Sequence, residues 1–356
     1  MGKLKSVFLN RYVVLAVYAL FAVAASLGQI MKAKPDDAFS RYNNYLIFKE
    51  SFNNLKNGVN MYELHPEKYY DLYKYSPSFA VLFAPFNLLN DTAGLILWNL
   101  LNSLPLFLAV FLIPRKDERK KIYVLWFILI ELMTNMQNSQ SNGLIAALLT
   151  GAFVSFEKNK PGLAALFIVL SAYIKVFGLL MAVMFMMYEN RQRFMRWFVL
   201  WSVMIFLLPL LFTSPQGYLM QLNNWIELLR NDHSISSGIS VFGILSSWFG
   251  IVHYKGAVLI MGLVLLLFPL LFVRYFISFE FRLWYFASLL IWLVIFNHRA
   301  YLYHSRSRRS LMVFSKRETC AHGNRNDDTA FCSDNPFAHR FISPVSEKRI
   351  RSALFA

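Results

Sequence analysis

Hydrophobic residues in this chain fall in long unbroken runs separated by short polar connections. The runs cover about residues 12–31, 93–113, 122–134, 142–156, 161–174, 176–188, 197–212, 257–277 and 283–297. Continuous runs predict helices, because the strands of a transmembrane barrel would alternate with a period of two. One further run, 78–89, lies between Pro77 and Asn90-Asp91 and is too short for an easy span, which makes it re-entrant or interfacial. The longest polar loop is 32–76. Within it Phe39, Tyr42, Leu46, Phe52 and Leu55 recur at helical spacing and Gly58 offers a stop, predicting an amphipathic helix on the membrane surface.

Composition sharpens this. Of 356 residues, 57% are hydrophobic, 17% aromatic and only 16% charged, with a mean hydropathy of +0.42. An ordinary soluble domain carries about 25% charged residues, so a soluble globular enzyme is excluded, as is a disordered chain. The expected fold class is all-α, a polytopic helical membrane protein of about nine spans plus interfacial helices.

The formal net charge of +16 would suggest nucleic acid in a soluble protein. Here the cations sit in clusters between apolar runs: Lys3, Lys5 and Arg11; Arg115 to Lys121; Lys158 and Lys160; Arg191, Arg193 and Arg196; Arg274 and Arg282. They read as positive-inside signals and lipid-headgroup contacts, so membrane lipids are expected partners and nucleic acid is not. The first run has the charge order of a signal peptide. It is long and lacks a clear cleavage site, and so reads as an uncleaved helix with its N-terminus in the cytoplasm. With every cluster inside, the 32–76 loop, the Asn135–Asn142 loop, Lys175 and the 213–256 region all reach the outer side. If 78–89 spanned instead, the 115–121 cluster would face outward.

Several residues on that side can carry chemistry. Asp36 and Asp37 can cap a helix, or one of them can serve as a general base at the membrane surface. Lys175 interrupts an apolar stretch from Leu163 to Met187. It either snorkels or sits in a hairpin turn, or it faces a cavity and pairs with an anion such as phosphate. The segment from Asn135 to Asn142 is dense in amides and hydroxyls, which suit sugar hydroxyls as well as solvent. Asp232 and His233 occupy a similar polar loop. No metal-binding HExxH, Walker loop or GxGxxG is present; no cofactor or metal site is predicted, and divalent-cation dependence stays open.

Five pieces of sequence, in this order, resemble glycosyltransferase family 87, the polyprenol-phosphate-mannose-dependent transferases with the GT-C membrane fold. The pieces are Asp37 with Tyr42-Asn43-Asn44-Tyr45 and Asn60-Met61-Tyr62; Tyr75-Ser76-Pro77 with Pro85; Ser139-Gln140-Ser141-Asn142; Ala172-Tyr173-Ile174-Lys175; and His233-Ser234-Ile235. The resemblance covers roughly 10–300. Ser76 stands where Pro is usual, Ser139 where Gly is usual, and Val176 where Pro often follows the lysine. The resemblance implies transfer of a hexose, mannose by expectation, from a polyprenyl-phosphate donor to a glycan or glycolipid acceptor. The reaction would invert the anomeric carbon at the extracytoplasmic face of a bacterial inner membrane. In that reading Asp37, or Asp36, is the catalytic base. Lys175 stabilises the departing phosphate, and Tyr42, Asn43, Asn44, Tyr75, Gln140, Asn142, His233 and Ser234 line the substrate site. A transporter or lipid flippase, and a non-catalytic membrane scaffold, are the alternatives.

The domain expected is a transmembrane unit over 1–300, followed by an atypical tail over 301–356. Past Asn297-His298-Arg299-Ala300 the apolar spans give way to a basic, polar stretch that holds both cysteines, Cys320 and Cys332. A shifted reading frame would produce that break. A genuine basic tail, closed by a Cys320–Cys332 disulfide, is the alternative.

Overall fold

The computed structural model describes residues 6–32, 41–231, 240–250 and 255–296. These fall within the first of the two units into which the chain divides, Met1–Leu302. Among the described residues every regular element is helical. In chain order they are α1 (Arg11–Met31), α2 (Asn43–Lys56), α3 (Pro77–Leu82), α4 (Asp91–Phe111), α5 (Glu118–Gln137), α6 (Asn142–Glu157), α7 (Pro161–Ile174), α8 (Arg191–Leu207), α9 (Pro215–Asn231), α10 (Val241–Phe249), α11 (Lys255–Leu267) and α12 (Phe279–Ile295).

Among the described residues, three helices are long and apolar enough to cross a membrane: Arg11–Met31, Asp91–Phe111 and Arg191–Leu211, the last formed by α8 with a closing 3₁₀ turn. Each has 21 residues, or about 31 Å at 1.5 Å per residue, matching a hydrocarbon core of about 30 Å. Pro77–Leu88, Asn142–Glu157 and Pro161–Ile174 are shorter apolar helices.

The first four-helix group is α1, α4, α5 and α6. The buried residues of α1, Val14, Tyr18, Ala22, Ala25, Ser26 and Gln29, lie along one helical face. Polar atoms on that face find partners across the group. The Tyr18 hydroxyl donates to the Leu125 carbonyl at 2.7 Å, and Ser103 Oγ to the Tyr18 carbonyl at 2.8 Å. Asn99 Nδ2 donates to Ser26 Oγ at 2.9 Å.

The segment from Pro161 to Met187 folds as a hairpin. Its first arm is α7. Its second is a 3₁₀ helix, Val176–Met187. The tip is Lys175, whose extended backbone (φ −139°, ψ 121°) separates the arms. Twelve residues of 3₁₀ helix reach about 24 Å, close to the about 21 Å of the 14-residue α7. The chain therefore returns to its starting level, where Asn190 Nδ2 donates to Asn159 Oδ1 at 2.6 Å. The buried row of the second arm is Gly178, Met181, Met184 and Met187, a step of three that matches three residues per turn. Gly178 is required at the turn, since a Cβ there would lie 2.3 Å from Ser171 Oγ and 2.7 Å from the Ser171 carbonyl carbon.

The basic clusters gather at one end of this bundle. Arg115 and Lys116 each lie 5.4 Å from the Phe279 ring. Lys121 sits over Phe111 and donates to its carbonyl, and Arg11 packs on the same ring. Glu157 and Arg282 join α6 to α12 there. The polar loop 138–141 and Lys175 lie at the opposite end, because α6 and the hairpin each run the length between them.

Above that opposite end, α2 packs on more than one side, with Tyr45, Leu46, Ile47 and Phe48 all buried. It is thus wedged into an aromatic cluster with Phe79, Phe83, Phe86 and Trp98, rather than resting by one face on the membrane surface. Gly58, at φ +70°, ends the turn after it. Helix α9 crosses the same region. Gln221 clamps the 59–61 strip, donating to the Val59 carbonyl at 2.7 Å and accepting from the Met61 N–H at 3.3 Å.

Candidate functional site

The site is assembled from three chain breaks: the loop between α5 and α6, the tip of the 161–187 hairpin, and the start of α2. The first is built by inward-turned amides. Asn135, in the last turn of α5, accepts the Asn142 N–H on Oδ1 at 3.1 Å, and its carbonyl accepts the Gln140 N–H at 3.0 Å. Asn102, wholly buried on α4, accepts the Leu144 N–H at 2.9 Å. Ser139 Oγ donates to Gln29 Oε1 at 2.7 Å, and Trp98 Nε1 donates to the Ser139 carbonyl at 3.0 Å. Ser139 itself takes φ +50°. The loop is fixed from inside, and this leaves Gln140 and Asn142 at its surface.

At the hairpin tip, Lys175 Nζ donates to Asn142 Oδ1 at 2.6 Å. The tip closes a helix C-terminus, where a cation is favoured by the unpaired carbonyls. The backbone beside the tip is pinned, with Ser76 Oγ donating to the Tyr173 carbonyl at 2.5 Å and the Tyr173 hydroxyl to the Ser202 carbonyl at 2.9 Å. Asn44, at the start of α2, donates from Nδ2 to the Asn138 carbonyl at 2.8 Å and so ties the outer helix to the amide loop.

The structure therefore brings together Asn44, Gln140, Asn142 and Lys175. It assigns a structural part to two other residues that the sequence puts forward. Asn43 forms a reciprocal pair with the Tyr70 backbone, donating to its carbonyl and accepting its N–H at 2.6 Å. Tyr75 packs edge-on to Phe48 at 4.9 Å and beside Phe79 at 5.1 Å, within the aromatic cluster. Tyr42 sits half-buried at the N-cap of α2. Its phenol is pushed up by burial and then by Asp91, so it stays neutral and is no base. Asp36, Asp37, His233 and Ser234 lie outside the described residues, as does the 301–356 tail.

The amides and hydroxyls of the 135–142 stretch do not all face the same way. Asn135, Asn138 and Ser139 turn inward, with Asn138 Nδ2 bonded to the Thr134 carbonyl at 2.8 Å. Gln29, Asn99 and Asn102 are buried amides that also build this end of the bundle. Their signal in the sequence is an amide within an apolar span, which is costly unless it is paired.

A helical membrane protein with a charged tip set among amides is the class these features define. The family model of glycosyltransferase family 87 matches residues 73–310, more than half of the chain, and the chain belongs to that family. It is a glycosyltransferase. No curated protein and no solved structure matches it. The matched range holds Tyr75, Gln140, Asn142, Lys175, His233 and Ser234. It begins after Asp36, Asp37 and Tyr42 to Asn44, and it ends past the change in composition at about residue 300.

Proposed function

We propose that this glycosyltransferase moves a hexose, mannose by expectation, from a polyprenyl-phosphate donor to a glycan or glycolipid acceptor. The reaction takes place at the extracytoplasmic face of the membrane, in a bundle of about nine spans. The observation that carries this reading is the Lys175–Asn142 pair at the end of the bundle opposite the basic clusters. A half-buried ammonium at a hairpin tip, beside an exposed carboxamide, suits a phosphate at the membrane boundary. The chemistry follows from charge. A carboxylate, Asp37 by preference and otherwise Asp36, takes the proton of the acceptor hydroxyl. The oxygen attacks the anomeric carbon from the face opposite the phosphate, inverting it. The bond from that carbon to the phosphate oxygen breaks, and Lys175 stabilises the charge that collects on the departing polyprenyl phosphate. Gln140 and Asn142 orient the sugar hydroxyls.

The test is transfer of radiolabelled sugar from a polyprenyl-phosphate donor in purified membranes. Asp37→Asn should lower the rate by about 10²–10⁴ with expression unchanged, and Asp36→Asn by less. Wild-type activity in Asp37→Asn removes that residue from the mechanism. For sidedness, single cysteines are placed at the exposed positions Asn57 and Glu118, in a background lacking Cys320 and Cys332. They should label from opposite sides of the membrane. Labelling of both from the outside overturns the orientation.

A further inference from the structure

The buried amides behind Lys175 do more than fill the core. Asn102 and Asn135 come from different helices, α4 and α5, and are 0% and 7% exposed. Their oxygens reach across to the first turn of a third helix. Asn135 Oδ1 takes the Asn142 N–H and Asn102 Oδ1 the Leu144 N–H, at 3.1 and 2.9 Å. These are two of the orphan donors that any helix start leaves open. The N-cap residue normally supplies that service, yet Ser141 makes no capping bond. The two amides also touch, Asn135 Nδ2 lying 3.4 Å from Asn102 Oδ1 and 3.3 Å from the Gln140 carbonyl. Close approach is enforced at the next residue: a Cβ on Gly143 would lie 2.6 Å from the Asn102 carbonyl oxygen. The outcome is a fixed backbone at Asn142, whose side chain holds the Lys175 ammonium at 2.6 Å.

We infer that Asn102 and Asn135 are positioning residues, which cap α6 from outside and thereby aim Lys175 at the donor phosphate. This rests on the phosphate reading of Lys175 proposed above. Neither amide touches substrate; each acts through Asn142.

The test is a double-mutant cycle in the purified full chain, reading the Kd for a polyprenyl phosphate, with the uncharged polyprenol as control. Asn135→Leu should weaken polyprenyl-phosphate binding about tenfold and leave polyprenol binding unchanged. In the Lys175→Met background the same substitution should have no further effect. Asn102→Leu should follow the same pattern. An equal loss in both backgrounds, or a parallel loss of polyprenol binding, reduces the amides to general support and overturns the inference alone. If Lys175→Met itself leaves the Kd unchanged, the phosphate reading fails and takes this role with it. Should Asn135→Leu not fold, Asn135→Ser, which keeps a short acceptor, carries the same cycle, with partial retention of affinity expected.

Discussion

The bundle holds a cation at each end, and the two are handled in opposite ways. At the basic end Arg282 makes a two-point pair with Glu157, Nε to Oε1 at 2.6 Å and Nη2 to Oε2 at 2.8 Å. The two side chains are 9% and 2% exposed. The Tyr188 hydroxyl adds a third bond to the carboxylate at 2.6 Å, and the remaining guanidinium nitrogen donates to the Phe276 and Ile277 carbonyls. Every charge and donor there is answered, so the cluster can only hold α6, α12 and the hairpin base together. At the other end Lys175 has a carboxamide for a partner and stays half-buried. A cation with a carboxylate is a fastener. Asn142 is exposed, so the cation at this end lies within reach of a ligand.

The largest effect expected is at the fastener. Arg282→Met leaves Glu157 charged and buried with its main partner gone, which should cost about 3–5 kcal/mol of stability. The measurement is the thermal midpoint in detergent, and an unchanged midpoint would make the two ends equivalent. Next comes the tip. Lys175→Met should weaken polyprenyl-phosphate binding by about 1.5–3 kcal/mol, the worth of a hydrogen bond to a charged group, with no loss of folded yield. A variant that loses folding while its folded fraction keeps affinity reverses the comparison. Gly178→Ala tests the geometry between the ends and should cost about 1–3 kcal/mol, because backbone at Ser171 stands in the way. Stability equal to wild type would mean the arms are free to part.

The smallest effect is one of pH. Burial raises the phenols of Tyr62, Tyr69 and Tyr73 above their usual value in the loop over the amide end. In the unfolded chain these groups ionise near pH 10, while in the folded loop they stay neutral. The stability they contribute is therefore complete below about pH 10 and is lost as pH rises through the shifted values. Alkaline titration should show tyrosinate absorbance appearing together with loss of helix signal. Ionisation of all 18 tyrosines near pH 10 with the helices intact would refute this.

Much of this organisation is legible in the chain. The apolar runs at 12–31 and 93–113 became α1 and α4 almost to the residue, because a membrane-length run has few other solutions. Lys175 could be singled out for the cost of its charge. The structure places it at a hairpin tip, one of the positions the sequence left open. What escaped were features set by tertiary pairing. The row Gly178, Met181, Met184 and Met187 has a step of three, which a search at 3.6 residues blurs into a uniformly apolar stretch. Helix α9 was hidden within a polar region because its inward residues include Tyr218 and Gln221, not only aliphatic ones. Asn135 and Asn142 look alike in sequence; only the fold turns one inward and the other out.

The hairpin also bears on how the chain enters the membrane in the first place. Both of its feet, at Asn159 and Asn190, stand at the basic end, and between Pro161 and Met187 the sole charged side chain is Lys175. In the topology proposed above, such a segment would insert from one side as a paired unit, with its apex leading. The translocation penalty is then confined to a single ammonium, about 2.5–3.5 kcal/mol on insertion scales, set against two apolar arms. In that topology the residue that makes insertion hardest is the one at the leading apex.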